Sequence, residues 1–145
     1  MTMTLIGSTV CPFVNRIQIL LEYFNESYFF KAIDLSDKPT WFLKLSPHGK
    51  VPILVLEDQT VLYESGIISE YLNEQFQGGL LPQDPLKKAQ ARLLSAFGET
   101  FMGTFIQSLL TADATLFETY QSKLHALCSR WEEYLAYYKR QDKER

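Results

Sequence analysis

Apolar positions along this chain recur first at strand spacing, then at helix spacing, and the alternation predicts its elements. The run "MTLIG" (3–7) is short, apolar and closed by a glycine, and reads as a buried strand. In "PFVNRIQILLEYF" (12–24), Phe13, Ile17, Leu20, Leu21 and Phe24 recur at helical intervals. Pro12 falls at the first helical position, where its missing N–H costs nothing. The aromatic-rich "SYFFKAID" (27–34) reads as a second strand. A short helix opened by Pro39 follows in "KPTWFLKLS" (38–46), and "VPILVLE" (51–57) with "TVLYE" (60–64) predicts a hairpin turning at "EDQ". "SGIISEYLNEQF" (65–76) is amphipathic, with Ile67, Ile68, Tyr71, Leu72 and Phe76 on its inner side. The order β-α-β-α-β-β-α predicts an α/β domain, a mixed four-stranded sheet with helices on its faces.

After residue 76 the pattern breaks. "QGGLLPQDP" (77–85) holds two glycines and two prolines and reads as a linker between a first domain (1–76) and a second (86–145). The second domain is wholly helical in pattern. From Pro85 to Leu110 an apolar stripe is expected at Leu86, Ala89, Leu93, Phe97, Phe101 and Phe105, weakened by Gly98 and Gly103. "TLFE" (115–118) has the capping-box pattern and predicts the start of a last helix. Its stripe is Leu116, Tyr120, Leu124, Leu127, Trp131, Leu135 and Tyr138, with Cys128 expected to pack beside it.

Composition narrows the functional classes. The sequence has 145 residues, 46% of them hydrophobic and 21% charged, which suits a globular chain with a real core. A net charge of −3 with no basic block before the last few residues argues against nucleic acid or an anionic membrane as partner. No apolar run approaches the ~20 residues of a membrane span, and the N-terminus lacks a secretory pattern, so a cytoplasmic location is expected. Cys11 and Cys128 then read as free thiols rather than a disulfide. His48 and His125 stand alone, without a second ligand at zinc-type spacing, so no metal is expected.

Four features of the first domain carry possible chemistry. Cys11 follows a strand and precedes a helix begun by Pro12, and helix-start amides and dipole favour a thiolate there. Taken alone, Cys11 reads equally well as a small buried hydrophobe. Val14 stands where a dithiol centre would carry its second sulfur, so any redox cycle is monothiol. Pro52 opens an apolar strand, which a central strand rarely tolerates. Either it is a trans proline on an edge, or a cis bond leaves the backbone of Val51 to pair with a peptide-like ligand. Ser65 and the first-turn amides of the 65–76 helix could hold a carboxylate, although a serine there is also an ordinary cap. Beside it, Glu64 could take an ammonium group, and Lys38 could reach a second carboxylate. Tyr63 and Trp41 read as core aromatics.

Together "CPFV", "DKPTWFLKLSPHGKVPIL" and "LYESGIISEYL" resemble the glutathione transferase superfamily, nearest to its omega-type, cysteine-dependent members. The match runs over about residues 3–84, and the helices beyond suit the second domain of that family, although they are fewer. The resemblance implies a thioredoxin-like first domain and glutathione as co-substrate. It implies Cys11 as the catalytic thiol, with Phe13 lining the site. Val51, before a cis Pro52, would pair with the cysteinyl backbone of glutathione. Glu64 and Ser65 would hold its γ-glutamyl end, and Lys38 its glycine carboxylate. The expected activity is thiol transfer or dehydroascorbate reduction, with a mixed disulfide or small electrophile as second substrate. The shortened helical domain implies an uncovered apolar face, hence a homodimer. A second resemblance, to stringent-starvation-type regulators on the same fold, implies a non-catalytic interaction protein; a glutathione-binding fragment without turnover is the third reading.

Overall fold

The computed structural model describes residues 2–143, with side chains described to residue 140. It divides into two compact units, Met1–Pro82 and Gln83–Arg145.

The first unit is built on four strands, β1 (Met3–Gly7), β2 (Tyr28–Ala32), β3 (Ile53–Val55) and β4 (Val61–Tyr63), in the order β2-β1-β3-β4. β2 runs parallel to β1, while β3 is antiparallel to both β1 and β4. Its helices are α1 (Pro12–Tyr23), α2 (Thr40–Leu45) and α3 (Ser65–Gln75). This is the expected mixed sheet, but β3 and β4 are shorter than the apolar pattern. Val51 lies outside the ladder, where β3 begins at Ile53.

Strand alternation divides the core in two. Met3, Leu5 and Leu54 meet Val14, Ile17 and Leu21 of α1 and Ile68 and Leu72 of α3 on one side. On the other, Ile6 and Ile53 meet Phe42 of α2. Each such side chain, fully buried, stabilises the fold by roughly 1.5–3 kcal/mol. Trp41, Tyr63 and Ile67 are exposed, contrary to expectation. Phe42, the next residue, takes the buried place expected of Trp41, because only one face of a six-residue helix meets the sheet.

Two helix ends share one solution. After α1, Asn25 adopts φ +56°, and the amides of Asn25 and Glu26 bond the carbonyls of Glu22 and Leu21. After α3, Gln77 adopts φ +49°, and Gln77 and Gly78 bond Glu74 and Asn73 in the same way. Both are Schellman closures, which satisfy carbonyls that a helix end would otherwise leave open.

The second unit holds α4 (Pro85–Leu110) and α5 (Ala114–Lys143). α4 starts on Asp84, whose carboxylate accepts from the Lys87 amide at 2.9 Å. α5 starts on Asp113, which accepts from Thr115 and Leu116 at 2.8 and 3.0 Å. The capping-box reading at Thr115 is thus corrected by two residues: Asp113 supplies the acceptor. The stripe expected on α4 is corrected too. Leu86, Leu93 and Phe105 are exposed, and the buried residues are Gly98, Thr104 and Ser108. At Gly98 the missing side chain lets α5 approach closely. A Cβ on Gly98 would sit 3.3 Å from the Trp131 ring, which Phe97 and Phe101 meet edge-on. Cys128 is exposed, not packed, and Leu135 of the α5 stripe is exposed as well. Among the described residues no helix is long and apolar enough to cross a membrane.

Candidate functional site

Strand direction alone gathers the four sequence features at one end of the first unit. β1 and β2 run toward that end, and β4, antiparallel to β3, also finishes there. The end therefore holds the β1–α1 turn with Cys11, the β2–α2 segment with Lys38, the start of β3 with Val51–Pro52, and the β4–α3 junction with Glu64–Ser65. Ile6 pairs with Lys31 and Ile53, and Ile53 with Tyr63, so Val51–Pro52 and Glu64–Ser65 lie within two residues of one cross-strand line, with Cys11 five and Lys38 seven residues beyond it.

Cys11 is the cap residue of α1, with extended backbone (φ −84°, ψ 119°) and Pro12 as first helical residue. Its amide donates to the Ser8 carbonyl at 3.2 Å, and its carbonyl accepts from Val14 and Asn15, both at 3.0 Å. These bonds fix the backbone while the thiol makes no capping bond. The residue is 7% exposed and joins the edge of the α1–α3 core. Val14 helps to set it there. A Cβ on Gly7 would stand 2.5 and 2.8 Å from the two Val14 methyls, so only glycine at the end of β1 lets α1 come this close. Phe13 is half-buried and packs against the same core.

The Val51–Pro52 peptide is cis. Ahead of it, Ser46 pins the turn 46–50. Its hydroxyl donates to the Lys50 carbonyl and accepts from the Lys50 amide, both at 2.9 Å, and Ser46 itself is buried. Sequence reasoning missed Ser46. The signal was present in "SPHGK", where serine and the turn residues proline and glycine stand together. Gly49 takes φ +60° in that turn, and the Lys38 side chain lies across it, with Nζ 3.5 Å from where a Cβ would be. The Lys38 ammonium is thereby set two residues from Val51, although the residue is exposed.

Glu64 caps α3 with φ +68° and ψ 112°, outside the regions an L-residue prefers. Its carbonyl accepts from the Ile68 amide at 3.0 Å, and its side chain is exposed. Ser65 is 6% exposed, and its carbonyl accepts from the Ser69 hydroxyl at 2.7 Å. Strained backbone persists where surrounding structure over-determines it, often at binding sites.

The segment before Lys38 carries one perturbed acid. The Ser36 hydroxyl and amide donate to Asp34 at 2.6 and 2.8 Å, and these bonds lower the Asp34 carboxyl below the ordinary range. Among the described residues, no group of three or more His, Cys, Asp or Glu could hold a metal ion. Both histidines are exposed.

A cysteine at a helix start, a backbone turned by a cis proline, an ammonium over the turn before it and a carboxylate–hydroxyl pair suit a small peptide-like thiol carrying both charges. Comparison with known proteins points the same way. Residues 5–79 match the family model described as glutathione S-transferase, N-terminal domain. The chain is 40% identical over 102 residues to pyrimidodiazepine synthase of Drosophila melanogaster, covering 68% of this chain and 42% of that one. With glutathione S-transferase omega-1 of Sus scrofa it shares 38% identity over 85 residues, 58% of this chain and 35% of the relative. Glutathione transferase Omega 3C from Trametes versicolor superposes with a TM-score of 0.69 at 25% identity, covering 87% of this chain and 55% of that structure. The chain thus spans well under half the length of these two curated relatives.

Proposed function

The chain belongs to the glutathione S-transferase family, and from that premise we propose that it is a glutathione-dependent thiol transferase with Cys11 as its nucleophile. The observation that carries the reading is the convergence of Cys11, Lys38, Val51–Pro52 and Glu64–Ser65 on one end of one sheet. Cys11 thiolate attacks the glutathionyl sulfur of a mixed disulfide. A Cys11–glutathione disulfide forms, and the other half leaves as a thiolate that takes a proton. A second glutathione thiolate then attacks that glutathionyl sulfur, regenerating Cys11 and releasing oxidised glutathione. Val14 offers no sulfur to resolve the intermediate, so the second glutathione is required. Reduction of dehydroascorbate is the small-molecule counterpart, with two glutathiones leaving as their disulfide.

The proposed cradle assigns Val51 to the cysteinyl backbone of glutathione, Glu64 to its ammonium, and Ser65 to the γ-glutamyl carboxylate. Lys38 meets the glycine carboxylate, and Phe13 borders the thiol. Two free cysteines favour a reducing compartment, and the cytoplasm is the proposed location. Exposed leucines on α4 and α5 favour a homodimer.

Intact mass after incubation with oxidised glutathione tests the mechanism. Because Cys128 is exposed and can take the same adduct, the test uses a Cys128→Ser background. A gain of roughly 305 Da, one glutathionyl group, that disappears in Cys11→Ala supports the reading. An unmodified Cys11 under these conditions sinks it.

A further inference from the structure

We propose that Lys31 and Trp41 are positioning residues that hold Lys38 where it meets the ligand carboxylate. The proposal rests on the assignment of Lys38 to the glycine carboxylate of glutathione. Lys31 is the fourth residue of β2 and Trp41 the second of α2, so they flank the segment 33–39 that carries Lys38. Lys31 Nζ stands 3.6 Å from the centre of the Trp41 ring, a cation–π contact that closes the base of this segment. Burial does not account for the pair, since Lys31 is exposed and Trp41 is 36% exposed.

The clamp joins two anchored elements: Lys31 pairs with the buried Ile6 in the β1–β2 ladder. Trp41 meets the fully buried Phe42 edge-on, at 6.2 Å and 79°. The start of the segment is held by the Ile33 amide, which donates to the Gly7 carbonyl at 3.0 Å. Between them the chain has no regular structure, and the Asp34 carboxylate turns back on its near neighbour Ser36. A lysine on such a segment would lose much of its binding free energy to ordering, unless the segment ends are fixed beforehand. Fixing them brings the Lys38 ammonium over Gly49, 3.5 Å from the place of its missing Cβ and beside the turn that leads to Val51.

A cycle of variants, read by calorimetric binding of reduced glutathione and by KM and kcat for thiol transfer, tests this. Trp41→Leu and Lys31→Met are expected to weaken glutathione binding roughly 2- to 5-fold and to raise KM with kcat unchanged. Lys31→Arg, whose guanidinium also stacks on a ring, is expected to keep wild-type affinity. The double variant Lys38→Ala/Trp41→Leu is expected to bind no more weakly than Lys38→Ala alone, because Trp41 acts through Lys38. Thermal melting of each variant confirms that it is folded. Wild-type affinity in Trp41→Leu, additive losses in the double variant, or failure of Lys31→Arg to rescue each overturns the proposal. If Lys38→Ala itself binds normally, the Lys38 assignment falls and this proposal with it, while the Cys11 adduct stands. A wild-type chain that binds no glutathione removes the proposed function as well.

Discussion

Glu64 carries two duties that can be separated. Its backbone sits at φ +68° and ψ 112°, which costs an L-residue on the order of 1–3 kcal/mol. Its side chain is the proposed partner of an ammonium group. Glu64→Gly is therefore expected to raise stability by about 1 kcal/mol and to weaken glutathione binding. Glu64→Gln, which keeps the strained backbone, should weaken binding without the gain. Urea unfolding and calorimetric titration of both variants check the pair, and unchanged affinity in both would remove Glu64 from the site. Ser65 differs in kind: it is almost buried at the first turn of α3, and meets a ligand only where that ligand reaches the helix start.

Turns hold the strands that place these residues, and one of them reports on pH. In the β3–β4 hairpin, Asp58 accepts from the Thr60 amide at 2.9 Å, and this bond lowers its carboxyl below the usual range. A carboxyl lowered in the folded state adds stability above its unfolded pKa, and that contribution disappears as pH falls through the lower folded value. Carbon-detected NMR titration is expected to find Asp58 ionised to lower pH than an unstructured aspartate, and Asp58→Asn to flatten stability in that acid range. Titration at the ordinary value of a free aspartate would mean that the turn does not hold in solution. The order of elements was legible in the sequence because strand and helix periods differ and each is punctuated by glycine or proline. Strand ends were less legible. Val51 and Leu56 continue the apolar pattern past the last paired residues, since burial extends beyond the ladder. The α4 stripe was misread for a related reason: period finds large apolar residues, whereas the buried positions of α4 are the small Gly98, Thr104 and Ser108. At the site, residue types with chemistry of their own stood out, as Cys11 and Glu64–Ser65 did. The supports did not, because Ser46 and Gly7, and Trp41 as proposed, act only through neighbours that folding brings to them.

At the scale of the whole molecule, α4 and α5 leave large apolar side chains exposed, including Leu86, Leu93, Leu109, Leu110 and Leu116. Patches of this kind mark surfaces that another molecule covers. Sedimentation equilibrium is expected to give twice the chain mass, and Leu93→Glu with Leu110→Glu to give the single mass with unchanged circular dichroism. A monomeric wild-type chain would overturn the dimer. The gathering of the proposed glutathione contacts has a different consequence. Every one of them leaves the same end of one sheet, within residues 11–65. On this reading the peptide-recognising half of the reaction is a cassette, carried whole by one continuous stretch of chain.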